Sequence, residues 1–505
     1  MTRPARRPGE KTVAVVDIGS NSGRVVVYGG GRGAHLRILA STRAALRLVR
    51  ELDQEGELPA EAEERLLVAL CDFVAVARGA GAERTVAVAT AAMRDAGNGP
   101  RLIQRIRAEL GIEVRVLSGL EEARYGFLGA VRSLPVAHGV LFDVGGGSMQ
   151  VSRFRARRLV DSVSLPLGAL RLSDRFLRGD PPTAREIRRL RDHVRKHLRG
   201  AGLRPLRAGD DLVGTGGTLR NIAKVDRRSR EYPIPRLHGY VVPRRRVSDV
   251  AEAVASRRLK KRGTIAGLNE DRGDSIVGGS LAIETLMEVL EAGEVWVSGQ
   301  GVREGLALHL VSGSQRLPEP AAVRKASIEA LTERFDGWDA SKARRRVALS
   351  RGLIAALDRR ATPETREALF EAARILDVGR SVGFFDRHEH VADLVVSTDL
   401  DGFSHRAIAL LSAVTRAAGG EDVRPRSYAP LLAREDGEPV RRAAVVLALA
   451  DDIEERCPPG IPLKVTCEVT RTRARVRVPA LLGWRPRPKD LRFEQAFGRT
   501  LVVTA

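Results

Sequence analysis

The chain has 505 residues, 43% of them hydrophobic and 29% charged, a balance that excludes a mainly disordered protein and implies several domains. Lysine and arginine number 85 against 63 acidic residues. The resulting charge of +22 favours polyanionic partners, while 4% aromatics leave few platforms for stacking nucleic-acid bases. Cysteine is scarce and odd in number (Cys71, Cys457, Cys467), which argues for reduced thiols rather than a disulfide framework. The longest clean apolar run, 443–450, is too short to span a bilayer, and no apolar segment follows the basic start MTRPARRPGEK. A cytoplasmic protein without membrane association is expected.

In chain order, residues 12–17 form an apolar strand ending in Asp17, followed by a glycine turn and a β-branched strand over 24–28. A third strand is expected over 35–41 and a helix over 59–78, where Leu66, Leu67, Leu70 and Phe73 share one face. Strand 85–90, helix 101–110, strand 114–117 and helix 121–131 complete a first lobe. The pattern then restarts: an apolar strand over 139–143 ends in Asp143, turns through glycines and returns over 150–154. VVDIGSNSGRVVV and LFDVGGGSMQVSRF are thus one internal repeat, 126 positions apart from 17 to 143. Such a duplication predicts two similar lobes facing each other across a cleft, with ligand groups at the carboxyl ends of the strands. The second lobe is expected to continue with helix 184–198, strand 211–214, a helix from Thr218, helix 275–290 and strand 294–298, and to close with helix 303–310. Residues 312–320 (SGSQRLPEP) read as a linker, 321–455 as almost wholly helical, and 461–505 as short strands.

Three loops carry chemistry. Asp17-Ile18-Gly19-Ser20-Asn21-Ser22 and Asp143-Val144-Gly145-Gly146-Gly147-Ser148 each combine a carboxylate with a tight turn whose amides can cradle an anion. Gly214-Thr215-Gly216-Gly217-Thr218 lies between a strand and a helix N-terminus, a ready phosphate site. One glycine loop is a weak signal; three, each after an apolar strand, are a much stronger one. ATP-binding folds use similar turns, so a kinase or ATPase stays compatible with the loops alone.

The segments DIGSNS (17–22), ATAAMRDAGN (89–98), VLSGLEEARYGFLGA (116–130), FDVGGGS (142–148), GTGGTLRNIA (214–223), RGDSIVGGSLAIE (272–284) and VSGQGVREGL (297–306) run collinearly over about 12–312. In this the chain resembles the exopolyphosphatase / guanosine pentaphosphate phosphohydrolase (Ppx/GppA) family, within the actin/Hsp70/sugar-kinase superfamily. The resemblance implies an α/β fold of two duplicated actin/ribonuclease-H-like lobes with a cleft, then an all-α HD-like domain and a small C-terminal α+β domain. The corresponding boundaries are 1–132, 133–312, 313–455 and 456–505.

It also implies roles. Glu122 matches the catalytic glutamate that activates water, with its neighbour Glu121 as the other possibility. Asp17 and Asp143 match the acidic pair that places a divalent cation, Mg2+ or Mn2+. Ser20, Asn21, Ser22, Gly145, Gly146, Gly147, Ser148, Gly216, Gly217, Thr218 and Arg94 match phosphate-binding positions. Hydrolysis of a phosphoanhydride needs charge neutralisation, positioning and a base, which this set supplies. Gln150 departs from the family, which often carries Glu there, and leaves the site one negative charge short. Arg303, Glu304 and Asp274 are expected to hold the second lobe together rather than touch substrate. In the HD-like stretch, Leu376 stands where a metal-binding His belongs. Asp377, His388, His390 and Asp393 remain, and a degenerate domain serving a polyanion channel or dimerisation is expected.

The expected activity is exopolyphosphatase: hydrolysis of the terminal phosphoanhydride bond of inorganic polyphosphate by a homodimer, with no nucleic acid required. The alternatives are pppGpp 5′-phosphohydrolase and a non-catalytic sensor of polyphosphate or alarmones.

Overall fold

The computed structural model describes residues 11–30, 36–48, 56–313, 316–422, 425–484 and 489–505. The basic start, His35 of the third predicted strand and part of the 312–320 linker lie outside them. Two compact units result, one of residues up to 230 with 237–323, the other of 231–236 with 324–505.

In the first unit, β1 (Lys11–Ile18), β2 (Ser22–Gly30) and β3 (Leu36–Ala45) form an antiparallel meander. Helix α1 (Ala60–Gly79) leads to β4 (Arg84–Ala89), then α2 (Ala91–Asp95), α3 (Gly99–Leu110), β5 (Val114–Val116) and α4 (Gly119–Arg132). The sheet order is β3-β2-β1-β4-β5, with β4 and β5 parallel to β1. β1 buries Val13 to Val16 without alternation because helices cover both faces of this sheet.

The second lobe repeats the plan with β6 (Gly139–Val144), β7 (Met149–Arg155) and β8 (Arg158–Leu165). Helices α5 (Ala169–Phe176) and α6 (Ala184–Gly200) precede β9 (Asp211–Thr215) and α7 (Gly217–Arg228). After β10 (Tyr240–Pro243) come α8 (Arg244–Ala255), α9 (Leu259–Arg262), α10 (Ile276–Val289), β11 (Glu294–Val297) and α11 (Val302–Ser312). The sheet order is β10-β11-β9-β6-β7-β8.

The duplication holds in register: Asp17 pairs with Arg24 across the first hairpin, and Asp143 with Gln150 across the second. The two turns also close by the same bond, Gly19 N to Ser22 O at 3.2 Å and Gly145 N to Ser148 O at 2.9 Å.

Helix α11 departs from expectation. Rather than closing the second lobe, it packs along α4 and onto β1 and β2, burying Leu306, Ala307 and Val311 with Val13, Val15, Val26 and Tyr28. Gly129 and Gly305 allow this crossing, since a Cβ on either would collide with the backbone of the facing helix. The chain therefore returns to the first lobe.

The second unit is built from α12 (Pro320–Thr332) beyond its first turn, α13 (Ala340–Leu357), α14 (Pro363–Ile375), α15 (Arg387–Ser397), α16 (His405–Ala418) and α17 (Gly437–Glu454). The tail adds β12 (Thr466–Val469), β13 (Arg473–Arg477), α18 (Lys489–Phe497) and β14 (Thr500–Thr504). Expected as a separate small domain, this sheet instead buries Ala474 and Val476 in the same core as Leu447 and Val446 of α17. Strand alternation marked one apolar face but not what would cover it.

Residues 231–236 also belong to this unit, which sequence reading missed: Tyr232 Oη lies 2.8 Å from His405 Nδ1, and Arg236 donates to the Thr398 carbonyl at 2.8 Å. No helix among the described residues is long and apolar enough to cross a membrane.

Candidate active site

The two Asp-ended strands point their carboxyl ends at a common cleft of about 150 Å3 between the lobes of the first unit. Its walls carry Asp17, Ser20, Asn21 and Ser22 from the first turn, and Asp143 and Gly145 to Ser148 from the second. Gly216 and Gly217 come from the third loop, and Glu122 from α4. Most of the residues expected at the site are therefore gathered there by the fold.

Gly216 adopts φ 93°, and a Cβ on it would stand 2.5 Å from Asp143 Oδ1, so the loop can pass the aspartate only as glycine. The first turn is braced from behind, where Asn21 O accepts from the amides of Leu46 and Arg47, each at 3.0 Å. The second is braced by α5, whose Ala169 amide donates to Gly145 O at 2.9 Å.

Geometry separates Glu121 from Glu122. Glu121 closes a capping box: its amide donates to Ser118 Oγ at 3.2 Å and its carboxylate accepts from the Ser118 amide at 3.0 Å. That backbone bond, with Arg115 beside it, holds Glu121 below the ordinary carboxylate range. Glu122, one residue on, enters the cleft, and its buried Oε2 accepts no hydrogen bond. Burial first, and the charge of Asp143 second, push its pKa up to about 8, opposed by Arg94 at 3.8 Å. Burial also raises Asp143, to about 6, against the pull of Arg220. Asp17 is raised by burial as well, although Arg303 NH1 stands 3.3 Å from its Oδ2. The three carboxylates line one small cleft without converging as a three-ligand group, so a cation held there by the aspartates would take its remaining ligands from substrate oxygens.

Some residues sit elsewhere than expected. Arg94 does not line the cleft; it donates to the Leu117 carbonyl at 2.9 Å and flanks Glu122. Thr218 is buried behind the glycine loop against Gly279 of α10. Gln150 is buried and donates to Ser148 Oγ at 2.8 Å, so it steadies the second turn from below.

Arg303, expected to hold the second lobe, instead faces Asp17 in the cleft. Its neighbour Glu304 does hold structure, but to the first lobe, accepting from Tyr28 Oη at 2.6 Å and from the Gly301 amide at 2.7 Å. Asp274 lies 3.8 Å from Arg47, a pair that links the two lobes.

Arg220 and Arg272 were missed: both line the cleft. Each lies in a motif quoted above (GTGGTLRNIA and RGDSIVGGSLAIE), but nothing in sequence separates an inward arginine from the many outward ones.

In the second unit the possible HD-like ligands do not converge. Asp377 is ion-paired with Arg346 at 2.8 Å, Arg380 at 3.0 Å and Arg387 at 3.1 Å, and Asp393 pairs with Arg416. Nowhere among the described residues do three His, Cys, Asp or Glu side chains converge as a metal-holding group.

Comparison with known proteins agrees with this architecture. The Ppx/GppA phosphatase family model matches residues 26–313, and the model of Ppx/GppA phosphatase domain III matches 323–478. Exopolyphosphatase 1 of Mycobacterium leprae is 32% identical over 303 residues, 59% of this chain and 88% of the relative. Exopolyphosphatase 2 of Mycobacterium tuberculosis is 32% identical over 314 residues, 59% of this chain and 98% of its own. Among solved structures, a Ppx/GppA family member from Aquifex aeolicus superposes with a TM-score of 0.54 at 27% identity, over 60% of this chain and 98% of that one. An exopolyphosphatase from Cytophaga hutchinsonii shares the fold with a TM-score of 0.56 at 23% identity, over 60% and 98% of the two chains. On the extent of the family match and the collinear motifs, the chain belongs to the Ppx/GppA phosphatase family.

Proposed function

We propose that the protein is an exopolyphosphatase, releasing orthophosphate from the end of inorganic polyphosphate. The single observation that carries this reading is the cleft itself: an orphaned, buried Glu122 carboxylate opposite two phosphate-type turns, flanked by Asp17 and Asp143. The relatives named exopolyphosphatase support the substrate class, and the charge of +22 suits a long polyanion.

In this reading the amides of the Gly19–Ser22 and Gly145–Ser148 turns hold the terminal phosphate, with Gly216 and Gly217 closing the third side. Glu122 orients a water and takes its proton. The water oxygen bonds to the terminal phosphorus as the bridging P–O bond breaks, and the electron pair leaves on the shortened chain. Asp17 and Asp143 would hold Mg2+ or Mn2+, a hard cation satisfied by one or two carboxylates plus substrate oxygens, which would neutralise phosphate charge when bound. Gln150 leaves metal binding to the aspartates and fixes Ser148. A cytoplasmic location is supported by three free cysteines. The homodimer and the HD-like character of the helical unit are carried from the family resemblance.

The test is orthophosphate release by the purified chain with Mg2+, offering long polyphosphate, short polyphosphate, pppGpp and ATP separately. Preference for long polyphosphate is expected. Preference for pppGpp would move the same chemistry to the alarmone, and no release from any of the four would replace the enzyme with a sensor.

A further inference from the structure

The duplication extends beyond the aspartate hairpins to two arginines. Arg94 is the fourth residue of α2, the helix after β4, the fourth strand of its lobe, and Arg220 is the fourth residue of α7, the helix after β9, the fourth strand of the other lobe. Each donates to a backbone carbonyl just past the neighbouring parallel strand: Arg94 NH1 to Leu117 O at 2.9 Å beyond β5, Arg220 NH1 to Gly299 O at 3.2 Å beyond β11. Each of these strands then enters a helix through a glutamate that caps its own N-terminus, Glu121 for α4 and Glu304 for α11. The correspondence fails at the next residue. In the first half it is Glu122, 3.8 Å from Arg94. In the second it is Gly305, pressed against the Tyr125 carbonyl with no room for a side chain.

The two arginines are therefore in different electrical situations. Arg94 is matched by the carboxylate beside it and stands off the cleft wall. Arg220 lines the cleft, makes no ion pair among the described residues, and shares the space with Arg272 and with Arg303, the latter already engaged by Asp17. Burial first, and repulsion by Arg303 second, bring the Arg220 pKa down to about 10, more than the nearby charges of Glu304 and Asp143 offset.

We propose that Arg220 is the guanidinium that contacts the non-bridging oxygens of the terminal phosphate, whereas Arg94 acts through Glu122 as a positioning residue. This rests on the phosphohydrolase reading of the cleft. The fork of donors is held at one end by Gly299 O, leaving the others to the ligand, and the low-dielectric walls make each charge-assisted bond count.

The experiment compares Arg220→Gln, Arg220→Lys and Arg94→Gln for binding of orthophosphate and tripolyphosphate by calorimetry in Mg2+, alongside turnover and a melting curve. Arg220→Gln is expected to weaken orthophosphate binding about 10- to 100-fold, the worth of one or two charge-assisted hydrogen bonds. Arg220→Lys, keeping the charge but losing the fork, is expected to fall between it and the parent. Arg94→Gln is expected to leave orthophosphate affinity within about twofold while lowering kcat, because it disturbs the base rather than the ligand. Parental phosphate affinity in a folded Arg220→Gln, or loss of it in Arg94→Gln, overturns the assignment. Were polyphosphate not hydrolysed at all, the binding comparison would still decide the role of Arg220 independently of the substrate reading.

Discussion

Each unit of this protein buries a set of carboxylates, and the two sets are treated in opposite ways. In the helical unit Asp377, Asp451 and Glu454 are almost wholly buried, but arginines meet them at every turn: Arg346 touches Asp377 and Asp451 at 2.8 Å, and Arg387 and Arg345 complete the set. Burial alone would raise Asp377, yet Arg346, Arg380 and Arg387 more than offset it and hold the carboxyl below its usual range. In the cleft Asp17, Asp143 and Glu122 are all pushed up, and the arginine nearest Glu122, Arg94, stands off at 3.8 Å rather than in close contact. Burial of acids is thus common to both regions. What distinguishes a site from a scaffold is whether the protein itself completes the pairing.

The comparison can be broken in four ways, from the largest effect to the smallest. Removing divalent cations with a chelator is expected to abolish turnover altogether, because burial raises all three cleft carboxylates in spite of Arg303 beside Asp17 and Arg94 near Glu122; turnover surviving in excess chelator would contradict this. Replacing Arg346 by Met is expected to cost about 3–5 kcal/mol, since it strands Asp377 and Asp451 as buried charges. Denaturant unfolding of the full chain checks it, and a loss under about 1 kcal/mol would mean that the cluster is not internally balanced.

The third prediction concerns pH without metal. Glu122 and Asp143, at about 8 and about 6, hold protons in the folded state that the unfolded chain gives up near 4. The folded form therefore binds more protons between these values, and stability falls as pH rises across that window. Melting curves in chelator should drop by a few degrees from pH 5 to 8, and Glu122→Gln should flatten the upper part of the slope. A melting temperature that rises steadily over this range would count against raised carboxyl pKa values in the cleft. Smallest is Gln150→Glu, which restores a charge beneath Ser148 and is expected to tighten Mg2+ activation by about 5-fold. An unchanged activation midpoint would remove position 150 from metal placement.

Much of the site was readable in the sequence because a repeat is a local signal: DIGSNS and DVGGGS reveal the hairpins, their partner turns and the cleft between them without tertiary knowledge. The same economy explains why the strands next to the hairpin turns are well placed, as apolar runs bounded by glycine, whereas β8 and β10 are not foreseen. What could not be read depends on contacts across long separations. Glu121 and Glu122 are adjacent and chemically alike, and only the Ser118 cap tells them apart. Arg220 and Arg272 look like any of 85 basic residues until the fold turns them inward. The path of α11 back to the first lobe is set by Gly129 and Gly305, whose closeness sequence does not display. The C-terminal sheet alternated as expected, but its apolar face was claimed by a helical core that periodicity could not locate.

The central claim is that Glu122, buried and with no hydrogen bond to its Oε2, is the base of a phosphohydrolase cleft, and the most direct measurement is orthophosphate release from polyphosphate by the parent and Glu122→Gln side by side, with binding followed separately. A loss of about 10²- to 10⁴-fold in turnover with polyphosphate still bound is the result predicted for removal of a general base. Turnover retained within a few-fold would show that Glu122 is only another buried acid, and the contrast between the two regions would lose its functional meaning.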